Sequence, residues 1–482
     1  MKITYDTKHL KQVVINRGIV LGQELKKIDE SIEYGCLVLE NDDAIAIKDK
    51  IPFCVIDTLE DTTKQNIDYD KELERIIKKY DFINFSKAIA SERSFIDYSF
   101  LLGTTGHRKE DKNYMIKIVV DIALTIERHF QNFKPDAVVS GAPDAIWTYM
   151  ILVMAEFYGI KLILLRPGWL NDFDSFECGY IGNDLYTISK EMKYYYDLLQ
   201  KTSLTKEEIE RVEKFKDYVK NFQYKKLMQS RHKRDVTKIA ITPNRNIFAY
   251  YNKIKNFDKS IVFTKPDLKE KLKANILRYF RKKQLDKYLQ NLDNNIPEKS
   301  IFFPLHFQPE ESTLVKGINY ANQIALIEHI SKSIPLGYTL IVKEHPLGRG
   351  NRPLWQYKHI ESFYNVKMVE LPSNGIIQKV DLIISISGTI GIESLVNDKP
   401  IIMLGKTYYM FDESLFHYLD NINRLDELIY KIVVKKETNI TKEKVDRFLL
   451  AYLKSLKPQA PFNTIDGFKK YAKYIVENIK KF

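Results

Sequence analysis

The chain is poor in cysteine and has no long hydrophobic run. Its three cysteines, Cys36, Cys54 and Cys178, are widely spaced, odd in number and form no CxxC pair. That argues against disulfide staples and a zinc site, and for reduced thiols. The longest apolar stretch, Ala145 to Ala155, stops at Glu156. A bilayer span takes about 20 apolar residues, so this one is too short. The opening Met-Lys-Ile-Thr-Tyr-Asp lacks the apolar core of a secretory leader. The GxxxxGK[ST] and GxGxxG loops are missing, which argues against an ATPase or a dehydrogenase. No internal repeat, low-complexity tract or trustworthy DxD-like metal cluster occurs, so neither a metal nor a cofactor is expected.

What is present is ordinary globular material. Of 482 residues, 44% are hydrophobic and 29% charged, enough for more than one core. At roughly 100–200 residues per domain, two or three domains are expected. The net charge is +12, and its placement is uneven. Residues 201–300 hold 26 basic and 12 acidic side chains, while the remainder is nearly neutral. The densest part runs from Lys225 to Lys238, and Arg281-Lys282-Lys283 follows.

The apolar pattern predicts alternating strands and helices over residues 1–190. Strands are expected at Gly18–Gly22, Gly35–Glu40, Ile51–Asp57, Asp136–Gly141 and Lys161–Arg166. Helices are expected at Tyr114–Phe130 and Asp144–Tyr158, from the 3.6-residue period. Residues 191–297 read as a basic helical connector or insertion, with Thr205 or Ser203 capping a helix. Residues 298–455 predict a second unit, with strands at Ser300–Leu305, Tyr338–Lys343, Val366–Glu370, Asp381–Ile386 and Pro400–Gly405. Residues 456–482 read as a basic amphipathic helix. The expected fold class is α/β: two Rossmann-like domains facing a cleft, with a helical insertion between them.

Ligands of such sheets sit beyond the carboxyl ends of the strands. Three loops there are rich in polar groups. One is His306-Phe307-Gln308-Pro309-Glu310, the second Lys343-Glu344-His345-Pro346 with Arg349 nearby, and the third Ser387-Gly388-Thr389 with Glu393. Small residues where a strand turns into a helix suit a phosphate, and Glu393 suits ribose hydroxyls. The plainer reading is an N-cap by Ser387 or Thr389. Pro346 restricts His345 to extended backbone, which would hold an imidazole at the sheet edge to meet an anion or a leaving group. In the first domain, Asp144 either caps a helix or faces the cleft as a catalytic carboxylate. The Arg166-Pro167-Gly168-Trp169 turn, Asp172, Asp174 and Glu177 are second candidates.

These motifs have a familiar order. Phe303-Pro-Leu-His-Phe-Gln-Pro-Glu, Lys343-Glu-His-Pro, and Ser387-Gly-Thr-Ile-Gly-Ile-Glu-Ser with Lys399-Pro-Ile resemble the bacterial capsule-polysaccharide biosynthesis family, which includes Kdo transferases. The resemblance spans about 100 residues. It implies a GT-B-like fold, a CMP-activated sugar donor such as Kdo or a related keto-acid sugar, and Gln-Pro and His-Pro motifs on the CMP part. Gln308-Pro309 and His345-Pro346 would then hold the CMP part, with the Ser387-Gly388-Thr389 turn near the phosphate. Read from the residues themselves, Glu310, Lys343 and Glu393 join the donor site, and His345 and Asp144 are the candidates for catalysis.

The first expectation is therefore a metal-independent glycosyltransferase of bacterial surface polysaccharide, acting on a glycan or lipid-linked acceptor. Alternatives are a teichoic-acid-type polyol-phosphate transferase with a CDP donor, and a non-catalytic assembly or export protein. The basic region fits an anionic membrane surface better than nucleic acid, for which no recognition motif is present. A cytoplasmic protein, peripheral on the inner face of the membrane, is expected.

Overall fold

Near-continuous apolar strands covered by helices on both faces build two α/β layers. A computed structural model describes residues 1–6, 12–80, 84–91, 112–141, 145–166, 173–178, 187–221, 268–308, 310–412, 414–455, 457–458 and 465–479. The first layer carries β1 (Lys2–Asp6), α1 (Gln12–Ile28), β2 (Glu33–Val38), β3 (Val55–Thr58), α2 (Lys112–Phe133), β4 (Ala137–Ser140), α3 (Ile146–Phe157), β5 (Lys161–Arg166) and β6 (Phe173–Cys178). Its sheet has the order β13-β6-β5-β4-β1-β2-β3, where β13 is Lys457–Pro458. All pairs are parallel except β5–β6 and β6–β13.

Among the described residues, the helices α4 (Thr187–Leu199), α5 (Lys206–Lys220) and α6 (Leu268–Gln290) lead to the second layer. The layer itself is β7 (Ser300–Pro304), α7 (Gln323–Ser333), β8 (Thr339–Lys343), α8 (Leu354–Glu361), β9 (Val366–Met368), β10 (Leu382–Ser385), α9 (Ile390–Val396), β11 (Ile401–Met403) and β12 (His417–Tyr418). The strand order is β12-β11-β10-β7-β8-β9, all parallel. Helices α10 (Lys442–Ser455) and α11 (Ile465–Asn478) follow later in the chain. The two α/β layers expected of a GT-B-like protein are thus present.

Some expectations need correction. Gly18–Gly22 is not a strand but the middle of α1. A Cβ on Gly18 would lie 2.8 Å from the Tyr5 ring, and one on Gly22 would lie 2.6 Å from Tyr34. The two glycines, one helical turn apart, let the helix approach the sheet. Nor do the helices between the layers stand apart as a connector. Met192, Leu199, Val212 and Phe215 of α4 and α5 belong to a core of the second layer, and Leu285 and Leu289 of α6 to its other core. Thr205 does start α5, through a reciprocal capping box with Glu208. The terminal helix buries its apolar face, Phe468, Tyr471, Ala472 and Ile475, in the core of the first layer. The strongly basic Lys225–Lys238 run lies outside the described residues. Cys36 and Cys54 are free and buried.

Candidate functional site

Both sheets reverse their winding beside their first strand, between β1 and β4 in one and β7 and β10 in the other. Open α/β sheets bind ligands at such a switch point. In the second sheet His306 and Ser387 meet there. His306 Nε2 lies 2.8 Å from the Ser387 carbonyl oxygen and 3.2 Å from Ser385 Oγ. Gln323, fully buried at the start of α7, clamps the His306 backbone: its Oε1 accepts from the N–H at 2.7 Å and its Nε2 donates to the carbonyl at 3.1 Å. Strand β8, the other neighbour of β7, ends at Lys343, with Glu344 and His345 following. The Phe307 and His345 rings lie 5.9 Å apart. The three loops singled out in the sequence therefore converge on one sheet edge.

Both imidazoles are neutral at pH 7. Burial pushes His306 down to about 4. It does the same to His345, where His306, Lys343 and Arg352 add repulsion. The Leu347 N–H donates to His345 Nδ1 at 3.2 Å, so the neutral ring carries its proton on Nε2. Unfolded histidine titrates near 6.5, and between about 4 and 6.5 the unfolded chain binds more protons than the folded one. Stability is therefore full above about pH 6.5 and falls with acid, by about 3 kcal/mol near pH 4 for His306 alone. Urea unfolding from pH 7 to 4.5 is expected to show a steeper loss in wild type than in His306→Gln. Equal slopes would contradict neutral burial of His306.

Lys343 is only 9% exposed. Among the described residues no carboxylate forms an ion pair with its ammonium; the neighbouring acids hold other partners. Glu370 pairs with Arg349, Glu344 with Arg352, and Glu393 accepts from the Thr389 hydroxyl at 2.8 Å. Burial lowers the Lys343 pKa against the pull of Glu370. An ammonium buried without an ion pair is costly to hold charged.

The His345 loop is pinned from beneath and from the side. Beneath it, Glu344 is 1% and Arg352 2% exposed. Arg352 Nη1 donates to both Glu344 oxygens, at 3.0 and 2.7 Å. The Tyr357 hydroxyl and the His345 N–H each donate to the same carboxylate at 2.6 Å. Arg352 Nη2 also reaches the His306 carbonyl at 3.2 Å, so one guanidinium ties both histidine loops together. From the side, α6 supplies Arg278, whose Nη2 donates to the Leu347 carbonyl at 3.1 Å, and Arg281, whose Nη1 donates to that of Asn351 at 3.0 Å. Gly350 has φ +86°, and a Cβ there would sit 2.5 Å from the Arg278 carbonyl oxygen; only glycine fits.

The other expected residues fare differently. Gln308 is 2% exposed and spends its amide within the protein, donating to the Ala321 carbonyl at 2.7 Å and accepting from Arg352 at 3.4 Å. Its amide folds the loop that carries His306. Pro309 lies outside the described residues. Glu310 is exposed, and its carbonyl receives the N–H groups of Thr313 and Leu314. Pro346 is exposed. Arg349 is committed to Asp286 and Glu370. Gly388, at φ +102°, has its carbonyl held by the Tyr409 hydroxyl. Neither Ser387 nor Thr389 caps α9 with its side chain. That helix is only seven residues long, so it adds little dipole of its own.

In the first layer Asp144 lies outside the described residues, as do Pro167, Gly168, Trp169 and Asp172 and the side chains of Arg166, Asp174 and Glu177. At that sheet's switch point stands Asp6, which the sequence reading missed together with β1. It is 1% exposed and accepts from Ser140 Oγ at 2.7 Å and Trp147 Nε1 at 2.8 Å. It therefore ties the end of β4 to the start of α3, the elements on either side of Asp144 in the chain. A hydroxyl–imidazole–carboxylate row also occurs: Thr4 Oγ1 lies 2.8 Å from His129 Nε2, and His129 Nδ1 lies 2.8 Å from Asp57. Thr4 and His129 are fully buried, so the row ties α2 to the sheet.

Fold and site together describe a two-sheet α/β protein with a buried lysine and two buried or half-buried histidines at the switch point of its second sheet. Residues 228–412 match the family model described as "Capsule polysaccharide biosynthesis protein", which bears out the resemblance seen in the three motifs. The chain has no match among curated proteins. Among solved structures it is similar to the β-Kdo 2,7 transferase of KpsC from Thermosulfurimonas dismutans, with 11% identity over 68% of this chain and 80% of that one, at a TM-score of 0.35. The β-Kdo 2,4 transferase of the same KpsC gives 12% identity over 70% and 87%, at 0.32. A UDP-GlcNAc 2-epimerase from Neisseria meningitidis gives 14% identity over 100% of both chains, at 0.28. Among the described residues, no helix is long and apolar enough to cross a membrane.

Proposed function

We propose that the protein is a glycosyltransferase of bacterial surface polysaccharide synthesis that holds a nucleotide-activated sugar at the carboxyl ends of β7, β8 and β10. The observation that carries this reading is Lys343, a cation 91% removed from solvent that forms no ion pair among the described residues. A donor phosphate would supply the missing charge, and the Nε2–H of neutral His345 would donate to it without adding charge that needs neutralising. As the sugar–phosphate bond breaks, negative charge gathers on the departing phosphate, and preorganised donors favour that state over the intact donor. The acceptor hydroxyl would enter from the first layer, where Asp144 follows β4 and is the candidate base or nucleophile.

The motif resemblance favours a CMP-linked keto-acid sugar such as Kdo, with no metal. Calorimetry with CMP, CDP, UDP and GDP, on wild type and His345→Ala, tests this. CMP is expected to bind selectively, and about tenfold or more weakly in the variant, the size of one hydrogen bond to a charged group. Preference for UDP or GDP would sink the CMP assignment while keeping a nucleotide-sugar enzyme. Preference for CDP would favour polyol-phosphate transfer. No binding at all would sink the transferase reading.

A further inference from the structure

Helix α6 has two very different faces. One is fastened to the second layer by Leu285, Leu289, Arg278, Arg281 and the Asp286–Arg349 pair. The opposite face leaves Ile276, Leu277, Tyr279 and Phe280 between 42% and 57% exposed. Their spacing sets Ile276 and Phe280 one turn apart, with Tyr279 beside them. Lys283 and Lys287 continue the same stripe, both exposed, and the Lys283 ammonium sits 4.7 Å from the Tyr279 ring centre.

Charge decides what can cover this face. Helix α6 contains eight basic residues against two acidic ones, and one of the acids, Asp286, is already paired with Arg349. The stretch before it, residues 222–267, carries eleven basic against three acidic residues. That stretch would meet α6 with like charge, and so would a second copy of the helix. An anionic occupant complements this charge. Aromatic and aliphatic side chains ringed by lysines are the composition that inserts at the boundary of headgroups and acyl chains.

We propose that the exposed face of α6 docks the protein on an anionic lipid bilayer. The terminal helix α11, the other basic amphipathic segment, cannot serve through its apolar face, because that face is buried in the first layer. Docking through α6 has a geometric consequence. The far side of the same helix holds the Leu347 and Asn351 carbonyls of the His345 loop. The candidate site would thus stand about one helix diameter, roughly 10 Å, from the lipid surface.

Vesicle flotation tests this without any sugar donor, so its failure is distinguishable from failure of the transferase reading. The full chain is expected to float with vesicles of phosphatidylcholine mixed with phosphatidylglycerol, not with phosphatidylcholine alone, and less as salt rises. Tyr279→Ser with Phe280→Ser, and separately Lys283→Glu with Lys287→Glu, are each expected to weaken flotation about tenfold or more. All four side chains are exposed, so melting temperatures should match wild type. Equal binding to neutral vesicles, or wild-type flotation by both variants, would overturn the proposal. So would a wild-type dimer that Tyr279→Ser with Phe280→Ser makes monomeric, with no flotation by either.

Discussion

Glu344→Ala is expected to destabilise the second layer by about 3–5 kcal/mol, the cost of stripping one partner from a buried ion pair. The alanine would leave the Arg352 guanidinium 2% exposed and without its carboxylate. It would also free the Tyr357 hydroxyl and the His345 N–H, both now 2.6 Å from Glu344. Arg352→Met should cost a similar amount, because it abandons the carboxylate instead. Removing both charges, as Glu344→Leu with Arg352→Met, should cost much less than the sum, since apolar replacements of buried pairs are often near neutral. Urea unfolding of the two single variants and the double variant checks this. Two single losses below about 1 kcal/mol would refute the pairing.

The double variant also separates positioning from stability. It should fold, yet its His345 loop loses the carboxylate that fixes the His345 N–H, and its His306 carbonyl loses the guanidinium. Nucleotide affinity is therefore expected to fall even where stability is recovered. A double variant that binds CMP like wild type would confine Glu344 and Arg352 to a folding role.

The second layer was readable because its strands are apolar runs buried on both faces; Ser300–Pro304 and Thr339–Lys343 lie within a residue of the expected bounds. The first layer misled twice near its start. Gly-Ile-Val-Leu-Gly has strand-like composition between two glycines, but those glycines serve a helix pressed against tyrosine rings. The opening strand Lys2–Asp6 alternates Ile3 and Tyr5 with Thr4 and Asp6, all buried. The polar pair is tolerated only because His129, Ser140 and Trp147 supply its hydrogen bonds. Those partners are 125 to 141 residues away, and no local pattern announces them. The site followed the same rule. His306, Lys343, His345 and Ser387 were visible because they follow strands. Gln323, Arg352 and Tyr357 were not, because they act only once a loop has folded back on itself.

Lys343→Met is expected to weaken nucleotide binding about 30- to 150-fold, the worth of a charge-assisted hydrogen bond of roughly 2–3 kcal/mol, while leaving the empty protein as stable as wild type or more so. The two effects have one origin. In the empty protein the ammonium is 9% exposed and in no salt bridge among the described residues, so its charge opposes folding at pH 7. The folded-state pKa is lowered below the ordinary lysine value near 10.4. Between the two values the unfolded chain holds more protons, so stability should rise as pH climbs through that window. Methionine has nearly the same length and no charge, so the variant should lack this part of the pH dependence. Bound phosphate reverses the sign: it favours the charged lysine, and ligand should raise the melting temperature of wild type but barely that of the variant. Melting curves of both proteins, with and without CMP and at neutral and alkaline pH, read all four corners. A variant less stable than wild type when empty, yet equally stabilised by CMP, would mean that Lys343 packs the sheet edge and that the anion binds elsewhere.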